Sequence, residues 1–164
     1  MSEKVFNVLF LCTGNSARSV MSEGLLSVLG KGRFRTFSAG SKPNGRVNPH
    51  AIALLNEIGY DTSGLRSKSW TEFEGPDAPQ MDIIITVCGN AAGEVCPMWP
   101  GHPATAHWGY EDPHGTTEAE ERASFVKIFA QIKRRVEFLV SLPDSKLEHL
   151  ALKTSLDEIG ARPA

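Results

Sequence analysis

An α/β domain, built on a parallel sheet with helices on both faces, is what this sequence predicts. Three observations carry the prediction. Apolar segments with strand period and with helix period alternate along the chain, which is the pattern of strand–helix–strand units. The run Ile83-Ile84-Ile85 is β-branched and apolar toward both sides, so its strand needs cover on both faces. With 164 residues, 41% of them hydrophobic, one ordinary core accounts for the whole chain.

The elements follow in order. Residues 5–11 read as a buried strand and 16–29 carry helical periodicity. A shorter strand over 33–38 ends at Ala39-Gly40. Asn48-Pro49 supplies a cap and a first-turn proline for a helix over 49–58, which Gly59 stops. Residues 81–87 form the clearest buried strand, and 105–108 a fourth. Apolar residues at Phe125, Ile128, Phe129, Ile132, Val136 and Leu139 make one stripe of a helix over Glu118–Val140. Pro143-Asp144 interrupts it, and 145–159 reads as a last, more polar helix. The chain is therefore expected to be one domain over 1–164, with 144–164 as a C-terminal helical extension.

Charge and composition exclude several classes of function. A net charge of -2 gives no reason to expect nucleic acid or an anionic membrane as partner. No apolar run approaches a membrane span, and no signal-peptide core follows the first residues, so the expected location is cytoplasmic. Three cysteines are an odd number and too few for a secreted disulfide framework. A reducing compartment keeps them as thiols, available for chemistry.

The chemistry centres on Cys12-Thr13-Gly14-Asn15-Ser16-Ala17-Arg18-Ser19, a loop between a strand end and a helix start. Successive backbone N–H groups of such a turn form a concave nest, and the positive end of the helix points into it. Arg18 adds a planar two-pronged contact, so residues 13–19 are expected to bind a tetrahedral oxyanion. The same field favours the thiolate of Cys12, the reactive form. Asn15 is expected to hold the loop through its side-chain amide, and Ser19 to donate to the sulfur.

In parallel sheets ligands sit beyond the carboxyl ends of the strands, where strand order reverses. Cys12 follows the first strand and Cys88 the third, so both thiols should open on one edge. The segment from Cys88 to Cys96 is rich in small residues, with glycines at 89 and 93 that allow it to bend. If Cys12 takes up an oxyanion covalently, Cys88 can attack its sulfur and release a reduced product. Cys96 can then exchange with Cys88 and leave a disulfide nearer the surface. Breaking a bond to oxygen requires a proton donor, and Asp112, followed by Pro113, is the best candidate. A zinc centre built on Cys88, Cys96, His102 and His107 does not match the usual short cysteine spacing, so no metal is expected. His107 reads as a packed or hydrogen-bonded wall of the site; His50, His114 and His149 are given no chemistry.

Cys12-x-Gly-Asn-x-x-Arg18-Ser19 with a distant Asp112-Pro113 resembles the low-molecular-weight protein tyrosine phosphatase fold. Within that fold, Thr13, Ala39-Gly40, Val47-Asn48-Pro49, Thr86-Val87-Cys88, Cys96-Pro97 and His107-Trp108-Gly109 resemble the thioredoxin-coupled arsenate reductases. The resemblance covers residues 4–140 and implies a four-stranded parallel sheet and reduction of arsenate to arsenite. It makes Cys12 the nucleophile, Arg18 the oxyanion ligand, Asp112 the general acid, and Cys88 then Cys96 the relay thiols. Phosphate and sulfate are the expected competing anions, and no organic cofactor is implied. Thioredoxin is the expected reductant, with glutaredoxin and glutathione as the alternative. Two departures, Ala17 before the loop arginine and His114 after Asp112-Pro113, argue against the alternative function, a low-molecular-weight phosphatase acting through Cys12, Arg18 and Asp112. A third reading is a non-catalytic oxyanion sensor. In some arsenate reductases a potassium ion is held by residues matching Asn15, Glu23 and Ser38 with an aspartate near position 68; Lys68 is expected to supply that charge here.

Overall fold

A computed structural model describes residues 5–88, 104–147 and 159–160. Strands β1 (Phe6–Cys12), β2 (Phe34–Gly40), β3 (Ile83–Thr86) and β4 (Ala104–His107) form one sheet in the order β2-β1-β3-β4. Every pairing is parallel. Helices α1 (Arg18–Leu29), α2 (Pro49–Glu57) and α3 (Glu118–Val140) and the short α4 (Asp144–Leu147) complete the described elements with a 3₁₀ turn at Trp70–Phe73. The expected parallel α/β sheet is present with its four strands in the expected places.

Alternation along β1 explains the layering. Phe6, Val8 and Phe10 point to a large cluster with Val20, Met21 and Leu25 of α1 and Ile128, Ile132 and Val136 of α3. Leu9 and Leu11 point the other way, to a smaller cluster with Ala39 and Ile84. There the 3₁₀ turn, capped by the Ser69 hydroxyl, packs Trp70 and Phe73 on the second face. β3 is buried on both sides, as its isoleucine run requires.

Helix boundaries have local causes. Asn48 accepts from the His50 N–H and Pro49 fills the first turn of α2. Thr117 accepts from the Glu120 N–H at the start of α3, whose first turn carries Glu118, Glu120 and Glu121 near the positive helix end. The predicted stripe of α3 is inward: Phe125, Ile128, Ile132, Val136 and Leu139 are buried, and Phe129 packs against them. α1 begins at Arg18 rather than at position 16, because Ser16 and Ala17 belong to the loop.

At the C-terminal end, Leu147 and Ile159 are buried in the main cluster. Cys96, His102, His149, the glycine-bearing segment after Cys88 and most of the expected last helix lie outside the described residues.

Candidate active site

Strand order reverses at β1: the chain moves from β1 to β2 on one side and later to β3 on the other. The connection leaving β1 therefore turns away from β3, which opens a crevice at the carboxyl ends of these two strands. A pocket of about 310 Å³ lies there, lined by Cys12, Thr13, Gly14, Ser16, Ala17, Arg18, Lys42, Asn44 and Asp112. Cys12 ends β1 as a free thiol. Only 3% of its surface is exposed, yet it lines the pocket, so it forms the floor rather than a sealed core position.

The loop is held by its carbonyls. Thr13 O accepts from the Lys42 N–H at 2.9 Å, Gly14 O from the Asn44 N–H at 2.9 Å, and Ser16 O from the Asn48 N–H at 2.8 Å. Across a trans peptide the next N–H points opposite to the carbonyl, so the amides of Gly14, Asn15 and Ala17 face away from this outer support. That is the nest the sequence predicts. The N-cap of α1, Ala17, offers no side-chain cap, which leaves the helix's terminal N–H groups for a ligand.

Asn15 sits at φ 47°, a left-handed conformation that asparagine tolerates better than most residues. Its side chain is fully buried behind the loop. Nδ2 donates to Ser19 Oγ at 2.8 Å, and Oδ1 accepts from the Lys68 N–H at 2.9 Å. Thus Asn15 and Ser19 brace the loop from behind, while Thr13, Gly14, Ser16, Ala17 and Arg18 line the pocket.

Arg18 faces the pocket from the first turn of α1. Its Nη1 donates to Tyr110 O at 3.0 Å and its Nη2 lies 3.6 Å from Asp112 Oδ1. The guanidinium is 5% exposed and the Asp112 side chain 66%, so the carboxyl reaches the pocket mouth from the solvent side. The segment leading to Asp112 is fixed from the other flank by Arg135, whose Nη1 donates to Gly109 O at 3.1 Å and whose guanidinium lies 4.8 Å from the Tyr110 ring centre.

Cys88 is buried and disulfide-bonded, and its partner lies outside the described residues. Register pairs Leu11 with Thr86, which sets Cys12 opposite Val87 and places Cys88 one residue beyond on the same edge. His107 is exposed rather than a pocket wall, and its Nδ1 lies 2.7 Å from Thr86 Oγ1. Partial desolvation of its ring, with the Arg135 charge nearby, holds its pKa below the usual histidine value.

Behind the loop, Glu23 is buried on α1. Ser38 Oγ donates to one carboxylate oxygen at 2.6 Å and Tyr60 OH to the other at 3.0 Å. Burial pushes its pKa up, opposed by the Ser38 hydrogen bond and the Lys68 charge. Burial pushes Lys68 down, opposed by Glu23. The oxygens of Asn15 and Glu23 are thus committed to protein donors and a lysine stands beside them, so the set does not fit a potassium ion. Among the described residues no group of three or more His, Cys, Asp or Glu side chains could hold a metal.

Sequence reading missed Lys42, Asn44, Ser67 and Arg135. The first three support or line the loop: the Asn44 Nδ2 donates to Ser16 Oγ at 3.1 Å and the Ser67 Oγ to Gly14 O at 3.0 Å. Arg135 sits one position before Val136 in an otherwise apolar stripe, and no periodicity marks a buried cation.

Comparisons with known proteins agree with this geometry. The sequence model for low molecular weight phosphotyrosine protein phosphatase matches residues 7–153. An arsenate reductase of Bacillus subtilis is 36% identical over 132 residues, 79% of this chain and 91% of that protein. A glutaredoxin arsenate reductase of Synechocystis is 35% identical over 134 residues, 82% of this chain and 95% of that protein. The structure of a thioredoxin-dependent arsenate reductase from Corynebacterium glutamicum superposes with a TM-score of 0.60 at 28% identity, covering 86% of this chain and 63% of that one. The chain therefore belongs to the low molecular weight phosphotyrosine protein phosphatase family, on its arsenate reductase branch.

Proposed function

We propose that the protein reduces arsenate to arsenite through a three-cysteine relay. The observation that carries this reading is a free thiol, Cys12, at the floor of an arginine-lined pocket, one strand away from a second cysteine, Cys88, engaged in a disulfide. A phosphatase of this fold has use for the first thiol and none for the second. The names of the relatives support the same substrate.

Arsenate enters with its oxygens on the loop amides and Arg18. The Cys12 thiolate attacks arsenic, and Asp112 gives a proton to the oxygen that leaves as water. The Cys88 thiolate then attacks Cys12 Sγ. An S–S bond forms, the S–As bond breaks, and its electron pair stays on arsenic, which departs as arsenite. Cys96 attacks Cys88, the 88–96 disulfide forms and Cys12 leaves as thiolate. A dithiol donor reduces that disulfide. We take thioredoxin as the donor because an intramolecular disulfide is what it reduces, with glutaredoxin and glutathione as the alternative. The cycle needs a compartment that keeps thiols reduced, which is why we place it in the cytoplasm.

The test is turnover with thioredoxin, thioredoxin reductase and NADPH. Cys→Ser changes at 12, 88 and 96 should each abolish multiple turnover. Full turnover by the Cys88→Ser protein overturns the relay. Hydrolysis of aryl phosphates that ignores Cys88 and Cys96, with no arsenate reduction, marks the protein as a phosphatase instead.

A further inference from the structure

We infer that Lys42 is a second cationic ligand of the bound oxyanion, set at the pocket rim to complement a doubly charged tetrahedral anion. The inference deepens the reading above, since it names what selects the substrate of the same site.

Lys42 follows β2 on the segment that supports the loop. Its backbone N–H is tied to Thr13 O at 2.9 Å, so its Cα is held against the oxyanion loop rather than on a free arm. Lys42 lines the pocket with Cys12, Arg18 and Asp112. Among the described residues the Lys42 ammonium has no ion-pair or hydrogen-bond partner. Every other charge in the pocket is committed: Arg18 lies 3.6 Å from Asp112 and donates to Tyr110 O.

The charge balance makes Lys42 necessary. A dianion beside a Cys12 thiolate brings three negative charges to one small space. Arg18 supplies one positive charge and the start of α1 contributes about half a charge, together short of the three. Lys42 is the remaining cation on the pocket lining. A flexible four-carbon stem on a fixed backbone lets its ammonium reach the anion on entry. The lining also contains no aromatic side chain and Ala17 as its one aliphatic residue other than the thiol, so nothing there stacks on a phenyl ester. A small inorganic oxyanion suits that surface.

The experiment measures protection of Cys12 from iodoacetamide by inorganic phosphate, read by mass spectrometry of the Cys12 peptide, in wild type, Lys42→Gln and Lys42→Arg. The protection midpoint should rise about fivefold in Lys42→Gln, the effect of one partly screened charge, and stay near wild type in Lys42→Arg. In arsenate turnover the loss should fall on KM rather than kcat. A rise below about threefold in Lys42→Gln, or an equal rise in both variants, overturns the inference. Phosphate protection needs no reductase chemistry, so an intact Lys42 effect in a protein that fails to reduce arsenate would sink the proposed function alone.

Discussion

Asn15→Ala isolates the part of the site that shapes the loop without touching the anion. Three effects act together. Alanine at φ 47° meets the left-handed penalty of about 1 kcal/mol. The Lys68 N–H loses its 2.9 Å acceptor, and Ser19 Oγ loses its 2.8 Å donor. Each lost buried bond costs about 1 to 2 kcal/mol once the stranded partner is included. Together these predict destabilisation of about 4 kcal/mol, or a fall in Tm of about 8–16 °C for a chain of this size. Asn15→Gly relieves the backbone strain and restores neither bond, so it should recover about 1 kcal/mol of the loss. Urea unfolding with an unchanged m-value is the assay. Phosphate protection of Cys12 in the folded variants should weaken as well, because the N–H groups of the nest move with residue 15. An Asn15→Ala protein within 1 kcal/mol of wild type, or an Asn15→Gly protein equal to it, refutes the account of the brace.

Gly40→Ala should be severe for a different reason: its Cβ would lie 2.4 Å from Thr13 O and 3.0 Å from Cys12 O, both backbone atoms of the site. We expect a loss of about 1–3 kcal/mol by thermal unfolding and a larger loss of turnover, with Gly64→Ala, which meets nothing within 4 Å, as the neutral control. Replacing sodium by potassium at constant ionic strength should leave the turnover rate unchanged, since Lys68 stands beside Glu23 and the Glu23 oxygens already accept from Ser38 and Tyr60; a clear rise in rate would show that a cation still enters.

The sheet and its helices were legible because each is written in local signals. The β-branched run at 83–85 has only one environment that suits it, and Asn48-Pro49 marks a helix start by its own hydrogen bond. The oxyanion loop was legible for a related reason: its glycine, asparagine and arginine serve backbone and ligand within eight consecutive residues. What escaped detection acts across sequence. Lys42 and Asn44 read as an ordinary turn, and only the parallel pairing of Cys12 with Gly40 brings the residues after β2 against those after β1. Arg135 hides in the register of α3, where a cation is buried because Gly109 O and the Tyr110 ring receive it from another segment. The 3₁₀ turn at Trp70–Phe73 escaped too, since four residues are too short for periodicity and its apolar pair is explained only by the uncovered face of β1 and β3.

Register places one further demand on the relay reading. Cys12 shares its face of the sheet with Phe10, and in the adjacent strand with Ile85 and Val87. Cys88 has the other parity, so continued extension would direct it away from Cys12. A disulfide requires the two Cα atoms to come within about 6 Å with their Cβ atoms facing. Adjacent parallel strands already provide roughly the separation, about 4.8 Å in the pairing direction. Orientation is what is missing. The Val87 N–H is still bonded to Leu11 O at 2.9 Å, so the chain is held up to Val87 and the turn must be made at or beyond Cys88. Gly89 follows immediately in the sequence, and glycine is the residue that lets a backbone reverse side within one step. The rigid β1 loop can then keep its anion geometry fixed while the thiol arrives from β3. Binding and relay thus fall on neighbouring strands, with the β1 loop held through the carbonyls of Thr13, Gly14 and Ser16 and β3 held up to the Val87 N–H.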